Sequence, residues 1–255
     1  MMRQGDFSAL AKSYQHRTGY SLVVLRALAN HVGAFGPDFR VAELGAGTGK
    51  LTENLLELGL HVTAVEPNDA MREEGFCQTA GGAVEWRAGS AERTGLETGS
   101  FDWILMGSSF HWPDFAQTLG EFHRVLRPRG HFTALWNPRN LGASALHSGI
   151  EAKIKEIVTD LKRVSSGSGE FTRDLSARLA TTGEFTDVLY AEAEYEVEMS
   201  RERYLGAWHS TNDIQAQAGP ERWAQIIAMI EAETADMAEL AVPYRTRSWT
   251  ARRVS

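Results

Sequence analysis

The segment VAELGAGTGKLT, residues 41 to 52, constrains the fold more than any other stretch of the chain. An apolar run closes on an acid, and three glycines set two apart (Gly45, Gly47, Gly49) lead directly into leucines at helical spacing. A strand, a turn stripped of side chains and a helix, in that order, open a βαβ unit. Bare backbone in such a turn lets a ligand come very close to the main chain.

The alternation continues. FRVAEL (39–44), HVTAVE (61–66), AVEWRA (83–88), FDWILMG (101–107) and HFTALW (131–136) read as strands. Leu51, Leu55 and Leu58 mark a helix over 48–58, Asn68 is placed to cap the next one, and a third runs over 115–126 to the turn RPRG. This pattern predicts an α/β fold: a doubly wound, mostly parallel sheet with helices on both faces.

Beyond residue 140 the pattern changes. Leu146, Ile150, Ile154, Ile157, Leu161 and Val164 form one helical stripe over 144–164. In 186–199, Ala191, Ala193, Tyr195, Val197 and Met199 alternate with Glu192, Glu194, Glu196 and Glu198, as in a half-buried strand with a solvated acidic face. Trp223, Ile226, Ile227 and Ile230 mark another helix, and VPYRTRSWTARR closes the chain as a strand. SSGSGE (165–170) is the clearest linker and is too short to separate domains. One domain over 1–255 is expected, with a ligand-binding core at 30–140 and helical cover segments at 1–29, 141–165 and 200–240.

Composition narrows the function. A net charge of -7 argues against nucleic acid as a general partner. The one cysteine, Cys77, excludes an internal disulfide and suits a reducing compartment, where a lone buried thiol is inert packing. The N-terminus lacks the apolar core of a signal peptide, and no apolar run nears the ~20 residues that span a bilayer. A soluble, cytoplasmic protein with no membrane partner and no metal is expected.

Three ligands compete for the glycine loop. A phosphate-cradling loop needs Gly, four residues, then Gly-Lys-Ser/Thr; here Leu44 and Leu51 stand at the first glycine and at the hydroxyl. A dinucleotide fingerprint needs Gly-x-Gly-x-x-Gly; Lys50 or Thr52 stands at its last position. The third pattern, an acid followed by Gly-x-Gly-x-Gly, is present as Glu43, Gly45, Gly47 and Gly49.

On that pattern the chain resembles the class I S-adenosylmethionine (SAM) dependent methyltransferases through residues 41 to 136. VAELGAGTG looks like their first motif, AVEPNDAM like the acidic end of their second strand and GSAERTGL like their adenine-side loop. FDWILMGSSFHW looks like their fourth strand, and FHRVLRPRGHF like the helix and turn before the fifth. The resemblance implies a Rossmann-like methyltransferase fold, SAM as cofactor and S-adenosylhomocysteine (SAH) as product. It implies a cofactor site of Glu43, Gly45, Ala46, Gly47, Thr48, Gly49, Glu66, Pro67, Met71, Ser90, Ala91, Glu92, Gly107, Ser108, Phe110 and His111. Glu66 is placed to accept from both ribose hydroxyls, and Glu43 to sit near the ligand's ammonium. Ser90 stands where the family commonly has aspartate, so the Ala91 backbone is the firmer adenine contact. Tyr14, Arg17 and Tyr20 resemble the N-terminal segment that closes over the cofactor, where rings favour a sulfonium; packing on the sheet is the other reading.

The acceptor determines which helper residues are needed. SSFHW (108–112) replaces the (Asn/Asp)-Pro-Pro-(Tyr/Phe) tetrad of enzymes that methylate base amines. For an alcohol, His111 is the candidate general base; otherwise it and Trp112 wall the methyl pocket. For a carboxylate, Arg139, Arg245 and Arg247 are available as grips, or are surface charges. Trp208 is a further candidate lining group, with His209 and Trp223 beside it. The tail resembles a subgroup acting on small carboxylic acids, the trans-aconitate type included. The expectation is methyl transfer to a small-molecule acceptor, most simply at oxygen; the alternatives are an acyl group on a carrier protein, or SAM binding without transfer.

Overall fold

The structure is a computed structural model and describes residues 8–163 and 169–255. Val164 and positions 165–168 of the expected linker lie outside the described residues, as do residues 1–7. One seven-stranded sheet runs in the order β3-β2-β1-β4-β5-β7-β6. Its strands are β1 (Val41–Leu44), β2 (Val62–Val65), β3 (Val84–Arg87), β4 (Phe101–Gly107), β5 (Leu126–Trp136), β6 (Phe185–Ser200) and β7 (Glu239–Arg253). The first five pair in parallel, while β7 is antiparallel to both β5 and β6. This is the doubly wound, mostly parallel sheet expected from the alternation. Strand order reverses between β1 and β4, where open α/β sheets leave a crevice at the C-terminal strand ends.

The period of two along each strand sorts the core into two layers. Ile104 and Met106 of β4 pack with Phe122, Val125 and Phe132 on one face. Trp103 and Leu105 face the other side, against Leu25, Leu28, Leu51 and Leu55. Trp103 Nε1 is satisfied there by Thr133 Oγ1 at 2.8 Å. The helices are α1 (Ala11–Tyr14), α2 (Leu22–Val32), α3 (Lys50–Glu57), α4 (Asp69–Gln78) and α5 (Phe115–Val125), then α6 (Ala145–Ile157), α7 (Gly169–Thr172), α8 (Leu175–Thr181), α9 (Arg201–His209) and α10 (Asn212–Glu233). Leu51 and Leu55 of α3 are fully buried, each burial stabilising by about 1.5–3 kcal/mol. Asn68 caps α4 by accepting from Met71 N at 3.1 Å, as its position suggests.

Several local expectations change. The turn RPRG is absorbed into β5 as an irregularity: Arg129 takes φ 68°, and pairing with β4 jumps from Phe101↔Leu126 to Trp103↔His131. The helix over 144–164 ends at Ile157, where Val158, Thr159 and Asp160 combine β-branching with a turn former. Helix α2 overlaps the end of the expected segment 1–29, and Val24, Leu25 and Leu28 pack it onto the sheet. Helix α10 bends at Gly219-Pro220, where Gly219 leaves helical dihedrals. Cys77 lies exposed on α4 rather than in the core. Helices α6, α9 and α10 form a third cluster with the ends of β6 and β7, through Ile150, Ile154, Met199, Tyr204, Trp208, Ile226 and Val242. Among the described residues no helix is long and apolar enough to cross a membrane.

One contact tests the packing of α4 on β3. A Cβ on Gly75 would fall 2.2 Å from the Trp86 ring, which is itself pinned by its Nε1 bond to Thr79 Oγ1 at 2.9 Å. Gly75→Ala should destabilise the fold by about 1–3 kcal/mol, the range for overpacking. Urea unfolding of both forms measures it, and an unchanged midpoint would mean that the ring yields freely.

Candidate active site

The loop after β1 is held from behind, leaving its outer face bare. Gly45 N and Ala46 N donate to Val65 O at 2.8 and 3.2 Å. Gly45 and Gly47 have φ of 64° and 59°, a region that glycine enters without strain. A Cβ at Gly45 would also meet Ser109 Oγ at 2.9 Å. The turn at Gly47 aims its amide at the neighbouring strand end, where it donates to Glu66 Oε2 at 2.9 Å. Glu66 Oε1 accepts from Asn68 N at 2.9 Å. Each carboxylate oxygen keeps capacity for another donor. Burial pushes the Glu66 carboxyl up, opposed by these two amides and by Arg72.

Glu43 lies in the same wall, 1% exposed, accepting from Thr52 Oγ1 at 2.5 Å. Burial pushes its carboxyl up to about 8; the Thr52 bond opposes the shift, and Glu66 and Glu53 add to it. Lys50 is engaged with Glu53 at 2.9 Å. Nearby, Thr48 is 2% exposed and its Oγ1 has no partner among the described residues.

These groups face a cavity of about 690 Å³ at the C-terminal ends of β1, β2 and β4. Of the expected cofactor residues, Tyr14, Arg17, Tyr20, Glu43, Gly45, Ala46, Gly47 and Thr48 line it, with Glu66, Pro67, Met71, Ser90, Ala91, Glu92, Gly107 and Ser108. Tyr20 Oη and Ser108 Oγ share a hydrogen bond of 3.0 Å, and Gly107 has no room for a Cβ beside the Tyr20 hydroxyl. Arg17 lies over the Tyr14 ring at 4.2 Å and donates to Ser210 Oγ at 2.7 Å, tying the N-terminal segment to the α9–α10 turn.

Three expected cofactor residues lie elsewhere. Gly49 is the N-cap of α3 and faces Thr79 and Trp86. Phe110 is wholly buried between Phe115, Phe122 and Phe132. His111 stands behind the wall, its ring among Trp112, Trp136 and Phe171. The indole N–H of Trp136 donates to His111 Nδ1 at 3.3 Å, so the neutral ring carries its proton on Nε2 and has no free lone pair. Burial also pulls this imidazole down to about 4.

At the far end, Trp112 and Arg139 line the cavity as expected. Trp208 does not; it is 2% exposed beneath the Arg139 guanidinium. Arg245 points to the outer face, where it pairs with Glu194, and Arg247 reaches Tyr190 Oη there at 3.2 Å. Asn137, Glu151, Arg163 and Tyr244 are among the lining residues that escaped the sequence reading. Asn137 Nδ2 donates to Gly19 O and Tyr195 Oη at 2.8 and 2.6 Å. Arg163 bridges Glu151 at 2.8 Å and the buried Asp213 at 3.1 Å. Among the described residues, no group of three or more His, Cys, Asp or Glu is arranged to hold a metal ion.

Comparison with known proteins agrees with the fold. Residues 42–134 match the profile of a methyltransferase domain. The chain is 42% identical over 101 residues to an uncharacterized methyltransferase of Mycobacterium tuberculosis, covering 40% of this chain and 41% of that protein. An uncharacterized methyltransferase of Schizosaccharomyces pombe is 36% identical over 105 residues, 39% of each chain. The match thus spans about two fifths of those relatives' length. A solved structure from Anaeromyxobacter dehalogenans, assigned as a type II methyltransferase, has a TM-score of 0.67 at 19% identity, covering 93% of this chain and 98% of that one. Phosphoethanolamine N-methyltransferase 2 of Haemonchus contortus has a TM-score of 0.54 at 14% identity, covering 97% of this chain and 58% of that one. Likeness at such identities is one of fold. The match to the methyltransferase domain spans residues 42–134, which include the glycine loop, Glu66 and β4.

The Glu43 carboxyl makes stability depend on pH in a definite direction. It holds its proton up to about 8 in the folded chain, against 4.5 for an ordinary glutamate. Between those values the folded state binds the extra proton, so this group's contribution falls as pH rises through the window. The advantage of Glu43→Gln over the parent should therefore grow between about pH 5 and about pH 8.5. Urea midpoints at the two values check this; a constant gap would mean that Glu43 is ionised throughout.

Proposed function

We propose that the protein transfers the methyl group of SAM to an oxygen of a small carboxylate, leaving SAH. The observation that carries the acceptor side is Arg139. Its guanidinium is in the cavity wall, and among the described residues no carboxylate pairs with it. A guanidinium presents a planar fork that matches a carboxylate.

The residues at the other end fit SAM. Thr48 Oγ1 is an orphan with room for a partner, and Glu43 is a buried acid suited to an ammonium group. The remaining acceptor capacity of Glu66 suits two ribose hydroxyls, and its plane is already fixed by two amides. Ala91 offers main chain to an adenine. When bound, SAM supplies a methyl carbon activated by its sulfonium sulfur. Transfer to a carboxylate oxygen forms a carbon–oxygen bond, breaks the carbon–sulfur bond and moves no proton, so no base is required. An alcohol would need one, and the lone pair of His111 is given to Trp136. We therefore read His111 and Trp112 as the wall of the methyl pocket. Alignment of acceptor and methyl by the cavity supplies the acceleration. The same proposal covers kinship with methyltransferases of small carboxylic acids, the trans-aconitate type among them, and a single domain over residues 1–255.

Glu66→Ala should weaken SAM binding by about 1–3 kcal/mol, the range for losing hydrogen bonds to a charged group. Calorimetric titration of both forms measures it. Equal affinities would remove Glu66 from the cofactor site.

A further inference from the structure

Two donors in the cavity wall have no partner among the described residues. The Arg139 guanidinium and the Tyr244 hydroxyl accept no bond and give none there, and neither is sealed from the cavity that both residues line. Tyr244 is only 6% exposed, and the surface it keeps is cavity wall. A phenol buried that far ordinarily finds a partner, as its neighbour Tyr195 does. The two rings stack at 5.9 Å and 29°, yet the Tyr195 hydroxyl is committed, donating to Gly19 O and accepting from Asn137 Nδ2, both at 2.6 Å.

The backbone brings the two free donors together. Arg139, just beyond β5, faces Tyr244 of β7 in an antiparallel bridge. Arg245 N donates to Pro138 O at 3.0 Å, and Asn140 N to Pro243 O at 2.8 Å. That pattern makes Arg139 and Tyr244 a non-hydrogen-bonded pair, the kind whose α-carbons approach to about 4.5 Å and whose side chains rise from one face. A proline precedes each residue of the pair. The bridge asks only carbonyls of those two positions, so proline stiffens both sides without losing a bond. The Arg139 guanidinium lies over the Trp208 ring at 4.0 Å, with the Tyr204 ring centre at 5.5 Å. Stacked in this way, it gives its face to the rings and keeps its in-plane N–H groups for another partner.

The pair has one chemical sense. A guanidinium can only donate, and the phenol beside it offers a further O–H. Glu151 of α6, in the same lining, does not compete for them: both its oxygens accept from Arg163, at 3.1 and 2.8 Å. The other end of the cavity is walled by the acids Glu43 and Glu66. An anion with two oxygens in one plane suits the Arg139 end.

We propose that Tyr244 joins Arg139 in a clamp on the acceptor's carboxylate. The guanidinium meets the charge, and the phenol donates to one oxygen, so that the other oxygen is turned toward the methyl group. The inference rests on the carboxylate reading above and adds to it a residue that positions the acceptor. Transfer forms the carbon–oxygen bond at the free oxygen, breaks the carbon–sulfur bond and leaves the phenol proton in place. The carboxylate loses its charge as the new bond forms, so neither contact strengthens in the transition state. The clamp therefore governs acceptor affinity more than the rate of the bound complex.

The test uses labelled SAM, with the SAM affinity of each variant measured by calorimetry. Acetate, hexanoate, benzoate, phenylacetate and succinate are supplied as acceptors, each beside its carboxamide. Turnover is expected among the acids and not among the amides. With the best acid, Tyr244→Phe, which keeps the ring stack on Tyr195, should raise the acceptor KM about tenfold, the loss of one hydrogen bond to a charged group. Little change in kcat and the same affinity for SAM should accompany it. Arg139→Gln should raise KM further, and in that background Tyr244→Phe should add far less, because both residues grip one group. An unchanged KM in Tyr244→Phe, or an equal loss in the two backgrounds, would overturn the clamp and leave acid methylation standing. SAM binding with no acid turned over, or amides preferred, would overturn the carboxylate reading and the clamp with it. Failure of the parent to bind SAM at all would overturn the methyltransferase reading itself.

Discussion

The amide of Gly47 donates to the carboxylate of Glu66, and the glycine-loop end of the cavity is built around that bond. It joins the loop after β1 to the end of β2, two elements whose backbones otherwise meet through Val65 O. The second oxygen of Glu66 accepts from Asn68, whose own side chain caps α4. One carboxylate thus registers a glycine turn, a strand end and a helix start. Burying it costs free energy unless donors meet it, and the two amides supply them. A residue with a Cβ at Gly47 would strain the turn that delivers the first amide.

From that fixed point the cavity acquires a direction. One end holds two buried carboxyls, Glu43 and Glu66, both pushed up by burial, with Arg72 opposing the shift at Glu66. The other end holds Arg139 over aromatic rings and Arg163 between two acids. A ligand with a cationic, hydroxyl-rich end suits the first, and an anion suits the second. The switch point of the sheet, between β1 and β4, is where these ends meet.

Much of this was legible in the sequence. Strands and helices up to residue 136 follow from periodicity and glycine placement, because local pattern and tertiary burial agree there. The glycine-loop end of the cavity was legible for the same reason, since its lining residues sit at strand ends and on one loop. The acceptor end was less so. Glu151 and Arg163 reach the cavity through the docking of α6 and the segment after it, a tertiary event with no sequence period. Arg245 was misplaced although a signal existed. Tyr244 and Arg245 are adjacent on a strand and must face opposite ways, and Arg245 stands across from Glu194 while Arg247 stands across from Glu192. Which nitrogen of His111 keeps a free lone pair depends on the one that Trp136 engages, and no spacing reports that.

The central claim is that bare main chain after β1 and the acid ending β2 receive an adenosyl ligand. A crystal structure of the protein grown with SAH tests it most directly. The account predicts both ribose hydroxyls on the Glu66 carboxylate, the amino-acid portion over Gly45 to Gly47, and its ammonium toward Glu43. An empty crevice, or the nucleoside bound elsewhere with Glu66 untouched, would contradict it.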